Sequence, residues 1–210
     1  MLTPVRGLIF RITHRENVPH LLQHGVHCRS SDEVNPDFIE IGQRDIIGTR
    51  KDRVVPAPPG GTVADYVPFY FTPRSPMLHN ILTGRNGVKL RSASEIVVLV
   101  SSLLKLEENG RQFVLADRNA CLAHTTFEPG RDLLTSLPWT DLQTSDYRRD
   151  LNRPDKLERY MAEALVHHHL PTDALLGIIT YDRPAQLLVD QMVSASGVSL
   201  KTSVMPSWYP

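Results

Sequence analysis

The stretch DYVPFYFTPRSPMLHNI, Asp65 to Ile81, contains the pattern on which the fold prediction depends. Its first half alternates as a β-strand does, and places on one face Tyr66, Pro68 and Tyr70 and on the other Val67, Phe69 and Phe71. The strand pattern stops at the Pro-Arg-Ser-Pro turn of residues 73–76, and a helix is predicted from Met77. Aromatic rings on both faces are unusual in a core strand, so we expect one face to line a binding cleft.

Short apolar runs on either side of this stretch predict the remaining elements. The predicted strands are Gly7–His14, Glu95–Val100, Gln112–Arg118, Ala164–Pro171, Gly177–Asp182 and Ser199–Pro206. The predicted helices are Val18–Gly25, Ser101–Gly110 and Arg183–Gly197, besides the one from Met77. Strands 95–100 and 112–118 are too close for regular βαβ alternation, so we predict an α+β fold with a mixed, largely antiparallel sheet and helices outside it.

Length and composition favour one ordinary globular domain over residues 1–210. The chain has 210 residues, of which 41% are hydrophobic. Acidic and basic residues number 23 each, so no overall field indicates a nucleic acid or a membrane, and any such contact depends on local clusters. No apolar window reaches the length of a membrane span and the N-terminus lacks a signal-peptide pattern, so we expect a cytoplasmic protein without a membrane partner.

Several common kinds of site are excluded by their missing motifs. The sequence has no GxGxxG or Walker pattern and no GxSxG elbow. Cys28 and Cys121 are too far apart for a zinc signature or a disulfide framework. Of the three histidines in a row, only His167 and His169 would share a strand face, and no acidic pair lies nearby, so we predict no metal site.

Two long segments lack a sustained apolar period. Cys28–Gly61 carries Arg44, Arg50, Lys51 and Arg53 and ends in a rigid PAPPGG. Long irregular segments of compact domains are often functional, so we predict a loop that closes over a ligand, with one short helix around Gln43 to Arg50. Ala123–Asp155 is also mostly loop, with a helical turn at LPWTDL.

Glu163 is the carboxylate that the sequence singles out. It precedes a strand, and its neighbours Met161, Ala162, Ala164 and Leu165 are apolar. A partly desolvated carboxylate at the mouth of a strand can hold a hydroxyl or stabilise positive charge. The alternative is an exposed glutamate at a sheet edge. Glu158 lies among basic residues, which suits a solvated ion pair better.

Taken together and in order, six blocks resemble the DarT family of bacterial DNA ADP-ribosyltransferase toxins. The blocks are ITHREN, the Arg50 loop with VPAPPGG, DYVPFYFTPRSPML, LVSS, ADRNACLAH and AEALV. The resemblance implies an ADP-ribosyltransferase fold with a split sheet and NAD+ as a consumed substrate. It also implies transfer of ADP-ribose to a base in single-stranded DNA, thymidine in the best-known members, and a DarG-like antitoxin whose macrodomain removes the modification.

The family's functional positions can be placed on this sequence. The resemblance puts the catalytic glutamate at Glu163 and the arginine of the NAD-closing loop, residues 28–61, at Arg50. The positions that it implies for NAD+ contact are Arg11, Ile12, Thr13, His14, His20, Arg50, Tyr70 and Ser75. Arg11 stands where the family commonly has histidine, and the block around Asn119 also varies, which leaves the modified base open, guanine included. The tyrosine face of the strand 66–71 is expected to meet the ligand and its phenylalanine face the core.

The implied chemistry breaks the bond between nicotinamide and ribose, which creates an oxocarbenium-like centre. Glu163 would bond a ribose hydroxyl and face the developing charge. Closure of the 28–61 loop would exclude water and favour transfer over hydrolysis. Arg50 would contact the pyrophosphate or the base. The family assigns it a role as proton acceptor, but a guanidinium is a very poor base, so electrostatic activation of the base is an equal alternative.

The acceptor must be an unstacked base, which favours a single strand. The segment 123–162, which leads to Glu163, supplies cations and rings for such a strand. The DNA-binding candidates are Trp139, Tyr147, Arg148, Arg149, Arg153 and Asn119. Two alternatives stay open: an enzyme of the same fold that modifies RNA or protein, and an NAD-binding homologue that has lost activity.

Overall fold

The computed structural model describes residues 2–43 and 48–210. Its strands are β1 (Leu8–His14), β2 (Val26–His27), β3 (Tyr66–Tyr70), β4 (Ile96–Ser102), β5 (Phe113–Ala116), β6 (Phe127–Pro129), β7 (Glu163–His167), β8 (His169–Leu170), β9 (Gly177–Thr180) and β10 (Thr202–Val204). Its α-helices of five or more residues are α1 (Val18–His24), α2 (Pro76–Thr83), α3 (Leu103–Glu108), α4 (Trp139–Thr144), α5 (Lys156–Tyr160) and α6 (Arg183–Ser196). The mixture confirms the predicted α+β class.

Eight strands form one sheet in the order β10-β9-β4-β1-β3-β7-β5-β6. Every neighbouring pair in it is antiparallel except β9 and β10, which are parallel. β1 pairs with β4 along its whole length, but it meets β3 at Phe10, opposite Tyr70. The sheet is therefore joined only weakly at this seam between β1 and β3.

β3 shows why the opening stretch folds as it does. Val67 and Phe69, with Phe71 after the strand, are fully buried in the main core, while Pro68 and Tyr70 remain partly exposed on the other face. The predicted division of faces is confirmed for these residues, whereas Tyr66, predicted on the ligand face, is fully buried in a separate hydrophobic cluster. Alternation with period two is enough to place the apolar side chains inward, because a one-residue slip would expose all of them.

The Pro-Arg-Ser-Pro turn ends β3 and begins α2. The hydroxyl of Ser75 caps the helix by accepting a hydrogen bond from the Leu78 amide at 3.1 Å, and Pro76 occupies the first helical turn. The Tyr160 hydroxyl donates to the Arg74 carbonyl at 2.9 Å and fixes the turn against α5.

One predicted strand is wrong in its extent. Ala164–Pro171 is not continuous, because His168 adopts φ +57° and turns the chain. β7 ends at His167, and His169 begins β8, which pairs with β2. Two backbone bonds fix the turn: the His168 amide donates to the Asp65 carbonyl and its own carbonyl accepts from the Cys28 amide. The strict alternation assumed for the three histidines therefore does not apply.

The loop predicted over residues 28–61 is irregular wherever it is described, apart from a helical turn at residues 48–50. Arg44 lies outside the described residues, as does much of the predicted helix over Gln43–Arg50. Asp65 holds both ends of the loop, because its carboxylate accepts from the Ser30 hydroxyl at 2.6 Å and from the Thr62 amide at 2.7 Å. Gly61, at φ +82°, passes so close to Asp65 that a Cβ would lie 2.7 Å from the carboxylate.

Within the described residues, no helix combines the length and apolar character needed to cross a membrane.

Candidate active site

A cleft opens at the seam between β1 and β3. Its floor comes from the sheet, one wall from α2, and its cover from the 28–61 loop. Among the lining residues are Arg11, Tyr70, Met77, Asn80, Arg50 and Asn119. The cleft therefore draws on both halves of the split sheet, and residues far apart in sequence meet in it.

Glu163 is the first residue of β7, directly opposite Tyr70 in β3, and it does not line the cleft itself but bonds Arg50, which does. The side chain of Glu163 is 1% exposed, which excludes the alternative of an exposed edge glutamate. Oε1 accepts from the Ala120 amide at 3.1 Å, and Oε2 accepts from both terminal nitrogens of Arg50 at 3.2 Å. The carboxylate is thus fixed from two sides.

Arg50 lies over Glu163 and lines the cleft. Burial is the largest single effect and lowers the pKa of Arg50, but the attractions of Glu163, Cys121 and Tyr70 together, with Glu163 the strongest, outweigh it, so the pKa is raised overall. Arg50 therefore stays protonated under ordinary conditions.

Arg11 brings a second guanidinium to the cleft. Its Nη1 donates to the Pro68 carbonyl across the seam at 3.1 Å. Burial, followed by repulsion from Arg50, lowers the pKa of Arg11 to about 10, so it too carries a charge at neutral pH. Two cations beside one carboxylate leave the site with an excess of positive charge, which suits an anionic ligand.

Tyr70 supplies a neutral aromatic face. Burial, followed by the nearby Glu163 carboxylate, raises the pKa of the phenol, so it remains protonated. Its hydroxyl points at the Met77 sulfur, 3.9 Å away. A phenol ring backed by a thioether is a suitable surface for a flat heterocycle.

A smaller cavity adjoins the cleft and shares with it the side chains of Arg11, His27, Arg29 and Phe38. Thr13 and His20, two of the predicted NAD+ contacts, line this second cavity. Asn17 stabilises its wall by donating to the Thr13 hydroxyl and to the Ile39 carbonyl, both at 3.0 Å.

Two predicted ligand contacts lie elsewhere. His14 is buried on the opposite face of β1, with Nε2 3.5 Å from a Glu95 carboxylate oxygen, and burial lowers its pKa. Ser75 is buried as the cap of α2. Neither lines either cavity, whereas Ile12 does reach the cleft. Alternation along β1 places His14 opposite Arg11 and Thr13, but it places Ile12 on the same face as His14, so alternation alone does not decide which of the two reaches the cleft.

Sequence reasoning missed two contributors that follow β5. The Ala120 amide holds Glu163, and the Cys121 thiol lies beside Arg50 with its pKa raised by burial. Asn119, a predicted DNA contact, lines the cleft and stabilises this turn, because its side-chain oxygen accepts from the Cys121 amide at 2.9 Å. The usable signal was the ADRNACLAH block.

Most of the predicted DNA-binding side chains are engaged within their own segment. Arg148 pairs with Asp146 at 2.9 Å, and Arg153 pairs with Asp141 at 2.9 Å and with Asp150 at 3.2 Å. The Trp139 indole donates to the Leu134 carbonyl and packs on Phe71, and Tyr147 packs on Tyr160. Among the residues that the structure describes, Arg149 is exposed and no ion pair engages it. None of these five lines the cleft.

Comparison with known proteins places the chain in a family. Residues 10–210 match the family model described as DarT, ssDNA thymidine ADP-ribosyltransferase. A DNA ADP-ribosyl transferase of Escherichia coli O127:H6 is 41% identical over 99% of this chain and 95% of its own length. A DNA ADP-ribosyl transferase of Thermus sp. 2.9 is 34% identical over 83% of this chain and 81% of its own.

Comparison with solved structures gives the same family as the sequence comparisons. The Thermus sp. 2.9 DarT in complex with ADP-ribosylated ssDNA superposes with a TM-score of 0.91 at 28% identity, over 100% of this chain and 99% of that one. The same protein in complex with NAD+ gives a TM-score of 0.86 at 27% identity, over 99% and 100%. The resemblance seen in the six sequence blocks is thereby confirmed. The chain belongs to the DarT family of DNA ADP-ribosyltransferases.

Proposed function

We propose that the chain cleaves NAD+ and transfers ADP-ribose to a base of single-stranded DNA. The observation that carries this proposal is the buried Glu163–Arg50 pair at the seam of the split sheet, next to Arg11 and Tyr70. The complexes of the Thermus relative with NAD+ and with ADP-ribosylated ssDNA support it.

NAD+ suits the two adjoining cavities because it has two heterocyclic halves joined by an anionic pyrophosphate. Arg11 lies in the shared wall and would face the pyrophosphate. The ring of Tyr70 would lie against nicotinamide, and His20 with Thr13 would contact the other half. His14 and Ser75 would contribute indirectly, His14 by holding the end of β1 and Ser75 by capping α2 at the turn beside the cleft.

Glu163 would act on the ribose. A carboxylate oxygen can accept two hydrogen bonds, and Oε1 accepts from Ala120, so a ribose hydroxyl can share this atom. When the bond between ribose C1′ and the nicotinamide nitrogen breaks, nicotinamide leaves with the electron pair. The negative carboxylate then stabilises the positive charge on the ribose until a base atom bonds to C1′, and the base passes its proton to the Glu163 carboxylate.

Arg50 would activate the acceptor base by its charge rather than accept the proton of that base. Its raised pKa keeps Arg50 protonated, and a protonated guanidinium cannot accept a further proton, which favours electrostatic activation of the acceptor over proton abstraction. Because Arg50 covers Glu163, its guanidinium must shift when the ribose hydroxyl arrives. A displaced guanidinium in the cleft would lie where the pyrophosphate or a base carbonyl can accept from it.

Thymidine is the acceptor that the family description supports, and guanine is the alternative. Asn119 lies at the rim and would contact the acceptor base. Arg149 is the best placed of the segment's cations to meet a phosphate, since Arg148 and Arg153 already pair with carboxylates.

An adduct on a base blocks pairing, so we further propose a toxin held in check by a DarG-like macrodomain antitoxin that removes the adduct.

Incubation with labelled NAD+ and separate pools of single-stranded DNA, RNA and lysate protein tests the acceptor class. We expect label in DNA, and mass spectrometry of the modified oligonucleotides then identifies the base. Label in RNA or protein alone would refute the DNA assignment. Unchanged NAD+ in all pools would favour an inactive homologue.

Glu163→Gln provides the matched control. The amide can still accept from Ala120, but its charge is lost, so we expect transfer to fall by at least about 10²-fold. The variant should also express readily in cells that the wild-type chain harms. Equal toxicity of the two proteins would contradict the toxin proposal.

A further inference from the structure

The 28–61 loop contacts the surroundings of Glu163 at two places. Arg50 bonds Oε2 directly. Arg53, three residues later, reaches the turn of residues 119–123, and the amide of that turn's Ala120 holds Oε1. The two arginines of one loop therefore act on the two oxygens of one carboxylate.

The contacts of Arg53 are specific. Its Nε donates to the Ala120 carbonyl at 3.4 Å and its Nη2 to the Ala123 carbonyl at 3.2 Å. Its guanidinium lies 5.4 Å from the ring centroid of Phe127, at the start of β6. A planar fork that stacks on a ring and bonds two carbonyls cannot be replaced equally by lysine.

The backbone of Arg53 is held as firmly as its side chain. Its carbonyl accepts from the Val63 amide at 2.8 Å, beside the bridge between Val54 and Thr62. Thr62 is in turn bonded by Asp65. The loop is thereby anchored to β3 at one side of Arg53 and to the 119–123 turn at the other.

We propose that Arg53 is a positioning residue for Glu163, an inference that rests on the proposed function. It clamps the 119–123 turn so that the Ala120 amide stays aligned on Oε1. Placement of the 28–61 loop over NAD+ and alignment of the carboxylate then become one event, because the same loop does both. The carboxylate would be fully aligned only when the loop is in place.

The competing explanation is that Arg53 binds a DNA phosphate. Two of its donors are already used inside the protein, and its guanidinium lies over the Phe127 ring. The two roles differ in what they leave unchanged. A positioning residue affects nicotinamide release even without DNA, whereas a phosphate contact affects DNA affinity and its salt dependence.

The experiment compares Arg53→Ala and Arg53→Lys with the wild type and with Arg85→Ala, which removes an exposed arginine that follows α2. For Arg53→Ala we expect kcat to fall about tenfold, with KM for NAD+ within about twofold. Nicotinamide release without DNA should fall by the same factor, and the salt slope of DNA binding should not change. Arg53→Lys should recover part of the activity, and Arg85→Ala should match the wild type.

A substrate-free measurement keeps this inference separate from the proposed function. Amide hydrogen exchange of the peptide covering residues 117–126 should be about tenfold faster in Arg53→Ala and intermediate in Arg53→Lys. Unchanged exchange together with unchanged kcat would overturn the inference, as would full recovery by lysine with a reduced salt slope in Arg53→Ala. A wild-type chain that releases no nicotinamide would overturn the proposed function instead.

Discussion

At the scale of single residues, Glu163 and Arg50 depend on each other. A carboxylate that is 1% exposed needs the opposite charge, and Arg50, 16% exposed, supplies it with two hydrogen bonds. Removing one partner of such a pair leaves the other desolvated and uncompensated, which costs more than the pair itself contributes. The pair is therefore better judged by the coupling between its members than by either deletion alone.

A double-mutant cycle of Arg50→Ala and Glu163→Gln measures this coupling. We expect Arg50→Ala to lower the free energy of unfolding by about 1–3 kcal/mol, because the carboxylate remains buried without its partner. In the Glu163→Gln background the same change should cost at least about 1 kcal/mol less. Urea denaturation of the four proteins gives both values, and strictly additive losses would show that the pair is not coupled.

At the scale of elements, the two faces of β3 have different roles, because one packs in the core and the other lines the cleft. Phe69 is fully buried in the main core, and Tyr70, its neighbour, lines the cleft. The two positions are adjacent in sequence, but their side chains point to opposite faces of the strand, so one packs in the core and the other lines the cleft.

Phe69→Ala and Tyr70→Phe test this division. Loss of the buried ring should lower the free energy of unfolding by about 3–5 kcal/mol. Tyr70→Phe keeps the ring and removes a hydroxyl that contacts a sulfur, so stability should change by less than about 1 kcal/mol. Isothermal titration calorimetry should show that Tyr70→Phe still binds NAD+ and that Tyr70→Ala binds it more weakly. Unchanged NAD+ affinity in Tyr70→Ala would show that Tyr70 is not part of the site.

The elements also show what the sequence could predict. Period-two alternation located β3 and its two faces, and apolar flanks marked Glu163 as desolvated. The break at His168 could not be seen, because its left-handed backbone depends on bonds to Asp65 and Cys28. The same holds for the contacts of Arg53 and for the ion pairs of Arg148 and Arg153, since composition shows cations but not which carbonyls or carboxylates face them.

At the scale of the whole molecule, several partly buried histidines share one property. Burial is the main cause that lowers the pKa of each of His14, His20, His167 and His169. The unfolded chain, with histidine pKa values near about 6.5, therefore takes up protons at a higher pH than the folded chain. The contribution of these histidines to the free energy of unfolding is complete above the unfolded histidine pKa and is lost as the pH falls below it.

We accordingly expect a lower free energy of unfolding at pH 5.5 than at pH 7.5. The carboxylates do not oppose this change. Folding lowers the pKa of Glu95 to about 2, and such a group alters the free energy of unfolding only at a pH below the pKa that carboxylates have in the unfolded chain. Urea denaturation at the two pH values measures the difference, and His167→Gln should reduce it. A flat or rising stability toward pH 5.5 would contradict the expectation.

Asp65 has a consequence for how this protein can change over evolution. By bonding Ser30 at one end and Thr62 at the other, it makes the intervening chain a closed ring whose two ends stay fixed beside β3. Doubling the length of such a ring costs only about 0.6 kcal/mol in closure entropy. Insertions and exchanges inside the ring can therefore reshape the cover of the cleft, and with it the ligands admitted, while the sheet below remains the same.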